Sequence, residues 1–320
     1  MNPANELFKH CTAEVDKAVI GKEQVKQIVF ATFLARGNIL LEGVPGIAKT
    51  LLARAVARAL GLRFSRMQFT PDLMPSDIVG TSIYNQGKGA FEFVPGPIFS
   101  DFILADEINR APAKTQAALL EAMEERQVTV DNATYPMSEH FIVFATQNPL
   151  EFEGTYALPE AQLDRFMVRI IIDYPSEHEE MRILNELTDG QHNPVERVET
   201  LADTVPRIRE VEAFLKTVVV DERIVAYVHG LVRASRSIDE LLLGSSPRAG
   251  QMLLRLSRAY AAVQGQDYVT PDHIRGLVPF VLPHRWIVKP AVEIQETPRE
   301  SILRTLFDSV KVPVERGERA

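Results

Sequence analysis

The sequence has 320 residues, 46% of them hydrophobic and 24% charged, which suits about two soluble domains with a sizeable core. The net charge is −8 at pH 7 and no segment is basic as a block, which excludes broad electrostatic attraction to nucleic acid or anionic lipid. No run approaches the ~20 consecutive apolar residues of a membrane span.

The N-terminal stretch MNPANELFKHCTAEVDK has no apolar centre and does not read as a signal peptide. Cys11 is the only cysteine, and none of the seven histidines pairs with another His or a Cys at metal-ligand spacing. A disulfide framework and a structural transition-metal site are therefore not expected. A cytoplasmic location is.

Helical patterns run over Asn5–Val19 and Glu23–Leu34. A short apolar strand follows at Asn38–Leu41, then a helix at Thr50–Leu60 rich in strong helix formers. Arg63–Phe69 alternates as a strand does. Phe102–Ala105 is an apolar run ending in Asp106-Glu107. Pro112–Glu125 reads as a helix with proline in its first turn, where the missing N–H costs nothing. Phe141–Thr146 and Met167–Ile172 are two more buried-type strands. Strands alternating with helices predict a parallel sheet covered on both faces, an α/β domain over residues 1–175. Two patches interrupt it and read as hairpins: Ile83–Phe99, with a Gly-Lys-Gly turn before Phe91 and Phe93, and Gln127–Met137.

After Pro175 the apolar strands disappear. Helices are expected at Glu177–Leu187, Val211–Thr217, Asp221–Ser235, Pro247–Gln264 and Pro271–Val281, with a polar linker over Asp189–Pro206. Residues 176–320 read as a helical domain.

The stretch GVPGIAKT, Gly43 to Thr50, lies between the first strand and a helix. Gly43 and Gly46 permit positive φ and close approach of backbone to phosphate. The loop Val44-Pro45-Gly46-Ile47-Ala48, through every backbone N–H but that which Pro45 lacks, and the helix start at Lys49-Thr50-Leu51 form an anion cradle. Lys49 supplies a charge for β and γ phosphates and Thr50 a hydroxyl for Mg²⁺. A glycine is usual where Ala48 stands; a left-handed backbone there costs roughly 1–2 kcal/mol, which several charged hydrogen bonds to a triphosphate exceed. The other reading is a tight turn with a surface lysine.

In FILADEIN a buried strand delivers two carboxylates at its C-terminal end, where open α/β sheets bind ligands. Asp106 suits Mg²⁺, through water, and Glu107 suits a general base for the attacking water. Asn148, in FATQNP, is placed to orient that water, although Asn-Pro is also a common turn starter.

Together GVPGIAKT, ILADEIN, FATQNP, LPEAQLDRF and GSSPRA resemble the MoxR family of AAA+ ATPases, from about residue 5 to residue 300. Some loops of that family also carry alanine at the position of Ala48. The resemblance implies an AAA+ P-loop core with a C-terminal all-helical lid, ATP and Mg²⁺ as ligands, and hairpins that match the inserts of the helix-2-insert clade. It implies that Val19, Ile20 and Gly21 cradle adenine and that Asn148 is sensor 1. It also implies that Arg165 is an arginine finger reaching a neighbouring subunit's nucleotide, and that Arg248 is sensor 2, contacting the γ-phosphate from the lid. A homo-oligomer, a hexameric ring, follows, with a client protein that carries a von Willebrand factor A domain in some members. No nucleic acid partner and no membrane insertion follow.

Plainer readings stand beside these. Arg165 adjoins Asp164 and Glu160 and suits a surface ion pair. Arg248 suits a helix start, and Phe91 and Phe93 suit local packing. For function, the ATP-driven chaperone competes with the ATPase subunit of a metal chelatase and with a nucleotide-gated scaffold of little turnover. A GTPase is disfavoured, because no N-K-x-D motif occurs.

Overall fold

The five strand-like runs of the first half assemble into one parallel sheet in a computed structural model that describes residues 2–44, 46–147, 156, 158–188, 193–293 and 298–313. In chain order the first half contains α1 (Pro3–Val15), α2 (Glu23–Leu34), β1 (Ile39–Glu42), α3 (Lys49–Ala59) and β2 (Phe64–Gln68). Then come α4 (Pro75–Val79), β3 (Gly80–Asn85), β4 (Ala90–Pro95), β5 (Phe102–Asp106), α5 (Ala113–Glu125), β6 (Gln127–Val130) and β7 (Ala133–Pro136). It ends with β8 (Ile142–Gln147), α6 (Glu160–Leu163) and β9 (Val168–Ile171). The sheet order is β2-β5-β8-β1-β9, with every neighbouring pair parallel.

Side chains alternate across the sheet and bury both faces. Ile39, Leu41, Phe102, Leu104, Phe144, Val168 and Ile170 pack with α1, α2 and α3. Leu40, Ile103, Ala105, Val143 and Ala145 face the other way, toward α4 and α5. Each fully buried large apolar side chain contributes about 1.5–3 kcal/mol. The ring of Phe102 lies 5.2 Å from that of Phe144 and 5.4 Å from that of Phe33, joining sheet to helix.

The second half contains α7 (Glu177–Thr188), α8 (Thr204–Leu215), α9 (Glu222–Ala234), α10 (Pro247–Val263), α11 (Pro271–Val281), α12 (Pro290–Glu293) and α13 (Pro298–Ser309). Helix α10 lies against α2, and one apolar cluster runs through α1, α2, α10 and α11. The side chain of Asn5 donates to the Val263 carbonyl at 2.6 Å, tying α1 to the end of α10.

Three expectations need correction. The segment read as a polar linker holds a short 3-10 turn at Pro194–Arg197, and α8 begins at Thr204, not Val211. Pro206, the last residue of the expected linker, sits in the first turn of α8, where no N–H is required. A two-stranded antiparallel ribbon, β10 (Leu241–Leu243) with β11 (Ile287–Val288), lies where only helices were expected; such short strands have no readable period. The first hairpin pairs Gly80–Asn85 with Ala90–Pro95, so it begins earlier and ends sooner than the sequence suggested. Residues 189–192 of the expected linker lie outside the described residues.

The two phenylalanines of that hairpin share a face, as their spacing requires, but have different surroundings. Phe91 is 73% exposed near the tip, against Tyr84 across the strand pair. Phe93 stacks on Tyr135 of the second hairpin at 4.2 Å and meets Phe99 edge-on at 5.7 Å. One aromatic cluster therefore joins the roots of both hairpins. Among the described residues, no helix is long and apolar enough to cross a membrane.

Candidate active site

Each sheet strand delivers its last residues to the same edge, and the polar residues gather there. The loop after β1 turns through Gly43 (φ 148°) and Gly46 (φ 83°) into α3. A Cβ on Gly43 would lie 2.5 Å from the Ile172 carbonyl oxygen, so the loop needs glycine there. Ala48 has φ 65°, in the left-handed region, and stands immediately before the first residue of α3. The strain considered for alanine is thus present, and the exposed N–H groups of the helix start are its return. Lys49 Nζ donates to the Gly43 carbonyl at 2.5 Å, which lays the ammonium over the loop. Thr50 and Leu51 follow in the first turn of α3.

Beside this loop opens a cavity of about 480 Å³. Val19 and Ile20 line one wall, Gly46 to Leu52 the floor, and Ile172, Asp173 and Pro175 the exit from β9. Gly21 does not line it: its φ of 67° turns the chain into α2, and a Cβ there would strike Glu179. Lys22 Nζ donates to the carbonyls of Asp173 and Tyr174 at 3.0 Å each, fixing one wall to the other. Ile183 and Arg197, from beyond the sheet, also line the cavity. Sequence reading missed both; Ile183 carried only the signal of an apolar residue on a highly charged helix. Gly43 and Val44 belong to the loop but not to this lining. Pro45 and Asn148 lie outside the described residues.

The carboxylates stand at the end of β5. Asp106 Oδ1 accepts from the Thr146 hydroxyl at 2.5 Å, and its Oδ2 accepts from Arg66 Nη2 at 2.6 Å and Nε at 3.1 Å. Glu107 leaves the strand with φ 55°, and its N–H donates to Thr146 Oγ1 at 2.9 Å. A non-glycine residue held there is strained by roughly 1–3 kcal/mol, a feature concentrated at functional sites. Glu107 Oε2 accepts from Gln68 Nε2 at 2.8 Å and from Arg110 Nη1 at 2.9 Å. Thr146 thus positions both acids at once. Its sequence signal was a polar residue closing an apolar strand. Arg66 and Gln68, two apart on β2, face β5 in register, Gln68 opposite Asp106.

These residues fit a nucleotide triphosphate with a divalent cation. The glycine-lined loop and helix start suit phosphate, and the largely apolar cavity beside them suits a base and ribose. Asp106 and Thr50 suit a magnesium ion that takes its remaining ligands from water and phosphate. Among the described residues, no group of three or more His, Cys, Asp or Glu forms an all-protein metal site.

Arg165 and Arg248 are elsewhere. Both bind Glu124 at the end of α5: Arg165 Nε at 3.0 Å from one oxygen, Arg248 Nη1 at 2.8 Å from the other. Asp164 pairs instead with the buried Arg285 at 2.7 Å. Burial draws the Arg285 pKa down to about 10 while Asp164 opposes the shift, so the group stays charged at neutral pH. Arg165 and Arg248 line a second cavity, of about 230 Å³, that shares no lining residue with the first. Asn38, just before β1, and Met167, just before β9, line the second cavity; Gly46 and Ile172, beyond the other ends of those strands, line the first. The cavities therefore lie at opposite edges of the sheet, separated by the length of a four-residue strand, about 13 Å. The structure brings Lys49, Thr50, Asp106 and Glu107 to one edge and Arg165 and Arg248 to the other.

Residues 38–168 match the ATPase family associated with various cellular activities (AAA), and residues 233–306 match an AAA lid domain. The chain is 45% identical to the uncharacterized protein YeaC of Bacillus subtilis, over 97% of this chain and 96% of that one. It is 41% identical to Chaperone MoxR1 of Mycobacterium tuberculosis, over 94% and 81%, and 31% identical to Protein MoxR of Methylorubrum extorquens, over 94% and 93%. A solved structure of a protein assigned as an ATPase from Cytophaga hutchinsonii superposes with a TM-score of 0.88 at 40% identity, covering 97% of this chain and 96% of that one.

Proposed function

The chain belongs to the MoxR family of AAA+ ATPases, and from that premise we propose that it couples ATP hydrolysis to the remodelling or activation of a partner protein. The observation that carries this reading is the first hairpin. Its exposed Tyr84 and Phe91 form an apolar tip that the fold does not use. Its root, Phe93, is stacked into the second hairpin. The strand before it, β2, holds Arg66 and Gln68 on the catalytic carboxylates. The tip of such an element suits a client, because exposed aromatics make strong anchors. The similarity to Chaperone MoxR1 supports the same reading.

The test is capture of client by a chain with the Glu107→Gln substitution, held with ATP. Adding Phe91→Ser should reduce capture by about tenfold or more, the scale of losing one aromatic anchor, while ATPase in an otherwise wild-type Phe91→Ser chain stays unchanged. Phe93→Ser should instead loosen both hairpins, read as faster amide exchange over residues 80–95 and 127–136. Undiminished capture by folded Phe91→Ser protein would move the client to another surface.

ATP sits with its phosphates on Gly43 to Thr50 and its base between Val19, Ile20 and the end of β9. Magnesium, when bound, neutralises phosphate charge beside Thr50 and Asp106. Glu107 takes the proton of the attacking water, held by the Thr146 hydroxyl on its own N–H. Arg66 already neutralises Asp106, so the ion competes with a guanidinium for that carboxylate. Arg66→Ala is expected to lower the Mg²⁺ concentration needed for tight nucleotide binding about two- to fivefold, the range of a half-exposed ion pair. A Mg²⁺ titration of fluorescent ADP binding measures this; an unchanged or higher requirement would show that Arg66 does not compete.

Arg165 and Arg248 complete a neighbour's site. They stand at the sheet edge opposite their own phosphate loop, too far to reach a nucleotide bound there. A chain with half a site at each end associates head to tail, and such interfaces close into rings when the rotation permits. A ring of identical chains, each lending its arginines to the next, is the assembly this arrangement supports.

A further inference from the structure

The second cavity is more basic than two fingers require. Five arginines line it: Arg36, Arg126, Arg165, Arg248 and Arg255, with Glu124 the only carboxylate in the lining. Arg165 and Arg248 share Glu124. Arg36 turns to Glu212, at 2.9 and 3.0 Å. Among the described residues, neither Arg126 nor Arg255 is within ion-pair distance of a carboxylate. Arg126 instead donates to the Arg36 carbonyl at 3.0 Å. Burial, together with Arg36 and Arg255, holds the Arg126 pKa below its usual value; burial and Arg248 do the same for Arg255. Like charges collected in a partly desolvated pocket repel one another, and a polyanion relieves that repulsion. Guanidinium groups match phosphate oxygens in pairs.

We propose that Arg126 and Arg255 join Arg165 and Arg248 in a cradle for the triphosphate of a nucleotide bound by the adjacent copy, and that Arg126 passes its occupancy to the hairpins. This rests on the head-to-tail reading above. Arg126 has φ 51°, ends α5 and directly precedes β6. Its carbonyl accepts from the Met137 N–H at 2.9 Å, closing the base of the second hairpin. Tyr135 of that hairpin stacks on Phe93 of the first. A phosphate drawing on the Arg126 side chain therefore acts on the pivot of both hairpins, and one copy's nucleotide orders the partner-binding elements of the next. Arg255 lies one helical turn beyond Gln251 on the α10 face that begins with Arg248.

The experiment compares wild type, Arg126→Ala, Arg255→Ala, the double variant, Arg126→Lys and Arg165→Ala in the full chain. Assembly driven by ATPγS is followed by sedimentation, and exchange of the 127–136 amides by mass spectrometry. Nucleotide binding by dilute, unassembled protein should be the same for all. The double variant should need at least about tenfold more protein to assemble, the loss of a charged hydrogen bond. Arg126→Ala should lose the hairpin protection that ATPγS confers, and Arg126→Lys should recover part of it. If Arg126→Ala does not fold, Arg255→Ala carries the assembly test and Arg126→Lys the exchange test. Normal assembly and protection in the double variant, alongside failure of Arg165→Ala, would overturn the cradle and leave the head-to-tail reading intact. If Arg165→Ala also behaves as wild type, both fall. Inorganic triphosphate is the remaining arm: tight binding to unassembled protein, lost in the double variant, would mark the cavity as a site for free polyphosphate and overturn the proposal.

Discussion

Glu107→Gln is expected to bind ATP as tightly as the wild type and to turn it over at least ~10²-fold more slowly, the scale of general base catalysis. The substitution keeps the shape of the side chain and an oxygen for Gln68 or Arg110 to bond. It removes the capacity to take a proton, together with the negative charge that Arg110 pairs with at 2.9 Å. The Thr146 hydroxyl still holds the backbone N–H, so the strained turn after β5 persists. Lys49→Ala should behave oppositely: its charge acts on the bound triphosphate, so binding itself weakens. Calorimetric titration beside single-turnover phosphate release separates the two. Equal ATP affinity for wild type and Lys49→Ala would remove Lys49 from the phosphate site, and undiminished turnover in Glu107→Gln would remove Glu107 from the chemistry.

Arg165→Ala should lower the turnover of assembled protein by ~10³-fold, the scale seen when an arginine finger is withdrawn from a nucleotide hydrolase. Nucleotide affinity of the dilute chain should stay unchanged, because Arg165 stands at the far edge of the sheet. For the same reason, the ATPase rate per wild-type chain should rise with protein concentration as copies meet. A rate per chain independent of concentration, in demonstrably monomeric protein, would contradict a shared site.

The glycine-bearing turn into α3 and the paired acids at the end of β5 were legible in the sequence because residue type and spacing mark such features. A strand, a glycine-bearing turn, Lys49-Thr50 and a helix leave few alternatives, and a buried strand ending in two acids belongs at a ligand edge. The five sheet strands were legible for a related reason: each is a short apolar or alternating run bounded by polar residues. Arg66 and Gln68 were not legible as partners of Asp106 and Glu107. Their role depends on β2 lying beside β5, which the sheet order decides and local pattern does not. The arginine-lined cavity was hidden for the same reason, since its residues come from the α2–β1 turn, the end of α5, the approach to β9 and one face of α10. Period two correctly put Phe91 and Phe93 on one face. It did not show that Tyr135, from a separate hairpin, would cover only one of them. The polar composition of the expected linker hid the start of α8 at Thr204, where Pro206 fits the first turn.

The central claim is that the two halves of the catalytic site lie at opposite edges of one chain and meet between copies. Mixing Arg165→Ala protein with Lys49→Ala protein tests it most directly, because each alone lacks one half. In mixed assemblies some junctions pair an intact loop with an intact arginine. ATPase activity should therefore reappear above the sum of the two separate preparations, peaking near equal proportions. Mixed assemblies, verified as mixed by differential labelling, that remain as inactive as their parents would contradict the claim.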